Sequence, residues 1–152
     1  MSRRKSREFA LQALYDADQA AGQSADQLLT DLLAARVDGD DMDSSGVEPA
    51  DIEYARQLIA GVLARSEELD AMIDEASTNW RVKRMPLVDR NILRLTAFEL
   101  IACLDVPHSV AINEAVELAK RFGDVDSKAF VNGILDRIAG VTGRGGRRNK
   151  QG

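Results

Sequence analysis

The stretch Val110-Ala111-Ile112-Asn113-Glu114-Ala115-Val116-Glu117-Leu118-Ala119-Lys120, closed by Phe122-Gly123, decides the fold class. Ile112, Ala115, Val116 and Ala119 recur at helical steps, which lines them along one inward side. Gly123 supplies a C-terminal stop, so the spacing predicts a helix over about 109–122. Asn113 and Glu114, polar and adjacent, read as residues that cap or bridge neighbouring helices rather than as a catalytic pair.

Working outward, the same periodicity repeats in both directions. Upstream, Leu87, Val88, Ile92, Leu95, Phe98 and Ala102 give a helix that starts with Pro86 at its first position, runs to about Leu104, and is broken by Asp105-Val106-Pro107. Downstream, Asp126 or Ser127 caps a helix carrying Phe130, Val131, Ile134, Leu135 and Ile138. Ser66-Glu67-Glu68 opens another helix with Leu69, Met72, Ile73 and Ala76, its acids near the positive end of the dipole. The basic connector Arg81, Lys83, Arg84 follows Trp80. Toward the N-terminus, residues 6–21 form a first helix ended by Gly22, residues 25–36 a second around Leu28, Leu29, Leu32 and Leu33, and Tyr54/Ala55, Leu58/Ile59 and Val62/Leu63 mark a third. No segment alternates like a strand. The expectation is an all-α chain of seven helices in one domain, 1–139. An acidic loop, 38–51, separates an N-terminal half, 1–37, from a C-terminal half, 52–139, and a disordered Gly/Arg-rich tail occupies 140–152.

Composition bounds what such a chain does. Its 152 residues suffice for a core without metal or disulfide staples. One cysteine, Cys103, and one histidine, His108, exclude a disulfide framework, a zinc cluster and a multi-histidine metal site. There is no membrane-length apolar run and no secretory signal at the basic start, so the expectation is a cytoplasmic protein with no membrane association. The net charge of −5 hides an asymmetry: Arg3, Arg4, Lys5 and Arg7 precede the first acid, Glu8, and Arg144, Arg147, Arg148 and Lys150 crowd the tail. The body between them holds 12 basic residues against 25 acidic ones. That body repels nucleic acid, so any binding is local to the basic segments.

Chemistry for catalysis is thin. Cys103, on the apolar side of its helix with no adjacent base, reads as a buried structural thiol, and His108 as a loop histidine. No phosphate-binding glycine loop follows a strand, and no carboxylate pair is held in an apolar cleft. We expect no enzyme, no metal and no cofactor. The basic start is the stronger signal. Arg3, Arg4, Lys5 and Arg7 lead into a helix on which Gln12 and Tyr15 continue the exposed strip. Cations for phosphates and an aromatic for a base suit single-stranded RNA. A solubilising arm with Tyr15 half in the core is the plainer alternative. Gly143-Arg144-Gly145-Gly146-Arg147-Arg148 resembles RNA-attracting Arg/Gly tracts, although a simple solvated terminus fits equally.

Several strings carry a family resemblance. Arg3-Arg4-Lys5-Ser6-Arg7-Glu8 followed by Ala13-Leu14-Tyr15 resembles the opening of the bacterial NusB antitermination factors. Val88-Asp89-Arg90-Asn91-Ile92-Leu93-Arg94 followed by Glu99-Leu100 resembles their fifth helix, and Val106-Pro107 with Val110–Lys120 their sixth. Phe122-Gly123, Asp126-Ser127 and Phe130-Val131-Asn132-Gly133-Ile134-Leu135-Asp136 complete the pattern over 3–139. The acidic loop is longer than in typical members, and the tail is not part of the motif. The resemblance implies two three-helix bundles with one additional helix. It implies binding of boxA RNA on nascent ribosomal RNA transcripts jointly with NusE, a small-subunit ribosomal protein in a second role. It also implies entry into the RNA polymerase antitermination complex with other Nus factors. It maps the arginine-rich start onto Arg3, Arg4, Lys5 and Arg7, the RNA-side tyrosine onto Tyr15 and a base-packing aromatic onto Phe130. Gln12 joins this RNA set from the exposed strip alone. Asp89, in the NusE and RNA neighbourhood, and Asp126, a functionally sensitive acid, are taken as partner-binding. The resemblance leaves open either a monomer or a homodimer that masks the RNA face. Structural roles compete at three positions: Asp126 as a helix cap, Phe130 as core, Asp89 as an early-helix acid favoured by the dipole.

Two other function classes fit parts of this pattern. Some ribosomal RNA methyltransferases carry a similar helical domain, but this chain has no room for a cofactor-binding α/β domain and lacks a catalytic cysteine motif. A helical protein–protein adaptor without RNA contact would not need the basic start leading into Gln12 and Tyr15.

Overall fold

Helix α1 (Arg4–Gln19) buries Phe9, Ala10, Leu11, Ala13 and Leu14 along one side and turns Arg4, Gln12, Asp16 and Gln19 to solvent. In the computed structural model, which describes residues 3–20, 22–38 and 47–142 with the side chains of 36–38 excluded, seven α-helices and no strand occur among the described residues. Gly22 sits at φ 101°, a backbone conformation that suits glycine, in the turn after α1. The Ser24 hydroxyl accepts the Gln27 N–H at 3.1 Å and so caps α2 (Ala25–Asp38), which buries Leu28 and Leu29. α3 (Pro49–Ala64) begins with proline, whose missing N–H is no loss in a first turn. Asp51 accepts the Glu48 N–H there at 2.9 Å, and its carbonyl oxygen accepts the Ser6 hydroxyl of α1 at 2.7 Å.

The chain divides into two compact units, Met1–Ala64 and Arg65–Gly152. The boundary expected in the acidic loop falls instead between α3 and α4. α3 buries Tyr54, Ala55, Leu58, Ile59 and Val62 and packs against both α1 and α2, so it belongs with the first two helices. The acidic segment ends, as its sequence suggests, in the first turn of α3, where Asp51 is buried. Residues 39–46 of the expected loop, and the tail from Gly143, lie outside the described residues.

The second unit holds α4 (Ser66–Ala76), a turn of 3-10 helix (Val82–Arg84), α5 (Leu87–Ala102), α6 (His108–Phe122) and α7 (Ser127–Thr142). Three helices in one unit and four in the other agree with two three-helix bundles and an additional helix. α5 packs against α4, α6 and α7, and buries Ile92, Leu93, Leu95, Ala97 and Leu100. A polar seam ties it to α4. Arg94 grips Asp70 bidentately, with Nε to Oδ1 at 2.8 Å and Nη2 to Oδ2 at 3.0 Å. Its Nη1 donates to Asn91 Oδ1 at 3.2 Å, and Asn91 Nδ2 donates to the Leu87 carbonyl at 2.9 Å.

Some local expectations shift. Pro86 precedes α5 as its cap residue, and the helix ends at Ala102 rather than Leu104. His108 is the buried first residue of α6, not a loop residue, and Cys103 is half-buried at the end of α5 rather than enclosed. α7 continues to Thr142, past the expected start of the tail at Gly140. No described helix is long and apolar enough to cross a membrane.

Candidate nucleic-acid interface

Each unit presents a candidate surface. In the first, the side of α1 that faces solvent carries Arg4, Gln12 and a half-buried Tyr15. Gln12 Nε2 donates to Asp16 Oδ1 at 3.2 Å, which holds its amide along the helix. Lys5 is half-buried beside Arg4. The Arg3 guanidinium lies over the Tyr54 ring, 4.1 Å from its centroid, so α3 fixes the direction in which the arm enters α1. Arg7 departs from the expected strip: it is only 4% exposed. Its neighbours at helical spacing, Ala10, Leu11 and Leu14, are all buried, so position 7 falls on the inward side of α1. Arg7 therefore leaves the set of residues that can reach a phosphate.

In the second unit, the aromatic that sequence reasoning put forward, Phe130, is half-buried on α7 and meets Trp80 at 5.8 Å between ring centroids, with the rings inclined by 55°. Trp80 is 50% exposed and was missed as a site residue. The signal existed: it is the chain's one tryptophan and stands directly before Arg81, Lys83 and Arg84. No apolar stripe marks it, however, because it lies between helices. Hydrogen bonds hold its backbone in place. The Ser77 hydroxyl donates to the Trp80 carbonyl at 2.6 Å and accepts its N–H at 3.3 Å, and Asp74 Oδ1 accepts the Val82 N–H at 2.7 Å. Arg81, Lys83 and Arg84 are all exposed. Asp74 approaches Arg81 only to 4.0 Å, while Lys83 and Arg84 carry no ion pair among the described residues. An aromatic face flanked by cations is what stacking of a base and contact with its phosphates require.

The acids assigned to the partner separate. Asp126 is exposed and its carboxylate makes no hydrogen bond among the described residues. It is not the cap of α7. Asp124 Oδ1 accepts the Asp126 N–H at 3.0 Å, and the Ser127 hydroxyl accepts the Asp124 N–H at 3.0 Å, a reciprocal closure of the helix start. Asp89 is 4% exposed and cannot meet a partner directly. Its Oδ1 receives the Ser127 hydroxyl at 2.7 Å. Burial pushes the Asp89 carboxyl above its ordinary pKa; the Ser127 hydrogen bond opposes this and the Asp124 charge adds to it. No group of three or more histidine, cysteine, aspartate or glutamate side chains among the described residues could hold a metal ion.

A sequence model of the NusB family matches residues 4–140. The chain belongs to the NusB family. The NusB transcription antitermination protein of Geotalea daltonii is 49% identical over 140 residues, covering 91% of this chain and 94% of that one. Its Myxococcus xanthus counterpart is 46% identical over 138 residues, with the same coverage of 91% and 94%. Among solved structures, T. maritima NusB matches with a TM-score of 0.79 at 34% identity, covering 92% of both chains. A chain from a complex of the antitermination factors NusB and NusE with dsRNA matches with a TM-score of 0.77 at 26% identity, covering 91% of this chain and 96% of that one.

Proposed function

We propose that this protein is a transcription antitermination factor that binds boxA RNA jointly with NusE on nascent ribosomal RNA transcripts. In this reading it joins the RNA polymerase antitermination complex with other Nus factors. The observation that carries the reading is the exposed Trp80, set against the half-buried Phe130 and beside the exposed Arg81, Lys83 and Arg84, on a fold similar to a chain solved with NusE and RNA. Arg4, Lys5, Gln12 and Tyr15 form a second cationic and aromatic track on α1. Arg3 supports it from Tyr54. Stacking fixes the bases and the cations neutralise phosphates, and together they give affinity that falls with salt. The activity needs no bond making or breaking by the chain. Its work is to hold RNA and a basic protein together.

A second reading, a helical adaptor without RNA contact, draws support from the exposed carboxylates Asp124 and Asp126 at the start of α7. They disfavour phosphate and favour a cationic partner, which agrees with placing Asp126 at the NusE side rather than on RNA. A titration of labelled boxA-like RNA at several salt concentrations, with and without NusE, separates the two. RNA binding that quenches Trp80 emission and weakens with salt supports the antitermination reading. NusE binding with no RNA affinity in either case leaves only the adaptor.

A further inference from the structure

The buried Asp89 carboxylate stands at one end of a continuous series of hydrogen bonds whose other end is the candidate binding face. Asp89 lies in the first turn of α5 and receives the Ser127 hydroxyl at 2.7 Å. The hydroxyl has one proton, and the alternative acceptor, Asp124 Oδ1, is 3.2 Å away, so Asp89 is the better acceptor. The same oxygen accepts the Asp124 N–H, Asp124 accepts the Asp126 N–H, and the Asp126 carbonyl accepts the Phe130 N–H at 3.2 Å. Phe130 in turn meets Trp80. The turn also leaves no slack on its other side. A Cβ on Gly123 would stand 2.6 Å from the Ser127 Cβ and 2.9 Å from the Ala119 carbonyl, so Ser127 is pressed against the Gly123 backbone.

We propose that Asp89 is a positioning residue for RNA and partner binding: through the Ser127 hydroxyl it fixes the 123–127 turn, and so sets where Asp126 and Phe130 stand. This rests on the RNA–NusE reading of that face. A buried carboxylate tolerates loss of its hydrogen-bond donor poorly, so the Ser127 rotamer is held from within while Asp126 faces solvent. Asp89 touches neither ligand. Its effect is carried by the turn.

The test uses the full chain with Asp89→Ala, Asp89→Asn, Ser127→Ala and the Asp89→Ala/Ser127→Ala double variant. It has two readouts: affinity for boxA-like RNA in the presence of NusE, and the near-ultraviolet dichroism of the single tryptophan, Trp80, with no ligand present. Each alanine variant is expected to lose about tenfold in affinity, within the usual range for coupled contacts, and to change the Trp80 signal. The double variant is expected to be no weaker than the weaker single. Asp89→Asn, whose amide oxygen still accepts the hydroxyl, keeps wild-type behaviour in both readouts. Wild-type behaviour of Asp89→Ala, a double-variant loss equal to the product of the singles, or an Asp89→Asn loss as large as that of Asp89→Ala would each overturn the proposal. If Asp89→Ala does not fold, Ser127→Ala and Asp89→Asn decide by the same criteria. If the wild-type chain binds neither RNA nor NusE, the functional reading fails. The Trp80 signal then judges the positioning role alone, with an unchanged or additive response overturning it.

Discussion

Asp124, not Asp126, answers the open amide groups at the start of α7, and the two aspartates therefore separate in experiment. Asp124→Ala is expected to lower unfolding free energy by about 1 kcal/mol, the usual value of a helix cap. Asp126→Ala should stay within about 0.5 kcal/mol of wild type in the same urea titration. The arginines of the basic start divide in the same way. Arg4→Ala should leave stability unchanged and reduce the slope of log affinity against log salt by about 0.7 for single-stranded RNA. Arg7→Ala removes a buried side chain and should destabilise by roughly 1–3 kcal/mol, without a change in that slope. Asp89 adds a pH signature. Its folded pKa lies above its unfolded value, so the folded state holds this proton more tightly. The resulting stability is fully present below the ordinary carboxylate pKa and is lost as pH rises through the folded value. Denaturation at a series of pH values should therefore lose that component in Asp89→Asn. An unaltered pH profile in Asp89→Asn would show that the carboxyl titrates alike in both states.

At the scale of elements, the α6–α7 junction depends on one close approach. Gly123→Ala must displace Ser127 or the Ala119 carbonyl, and is expected to lower the melting temperature and disturb the Trp80 signal together. A melting temperature equal to wild type would mean that the junction yields freely. The helices themselves were legible from sequence because each buries one periodic face, as Phe9, Ala13 and Leu14 do in α1 and Ile112, Ala115 and Ala119 in α6. What periodicity could not supply was which helices share a core. α3 follows an acidic segment, yet its buried residues match α1 and α2, a three-dimensional fact with no local signature. The candidate site was half legible for the same reason. Charge and residue type pointed to Arg4, Gln12 and Tyr15, and Phe130 came from the family resemblance alone. Burial removed Arg7 and Asp89, and Trp80 emerged only when α7 brought Phe130 to it.

At the scale of the whole molecule, each unit carries its own cationic and aromatic surface while the chain between its basic ends is strongly acidic. On the proposed function, such a chain is expected to bind RNA weakly alone, and a basic partner that covers acid and extends the cationic track is expected to raise its affinity. The expected coupling between NusE and RNA is about 1–3 kcal/mol, and linkage requires it to act equally in both directions. The most direct test is calorimetry of boxA-like RNA binding to the chain with and without saturating NusE, at one fixed salt concentration. The account predicts that NusE tightens RNA binding by roughly five- to 150-fold, and that RNA tightens NusE binding by the same factor. Equal RNA affinity with and without NusE would contradict it.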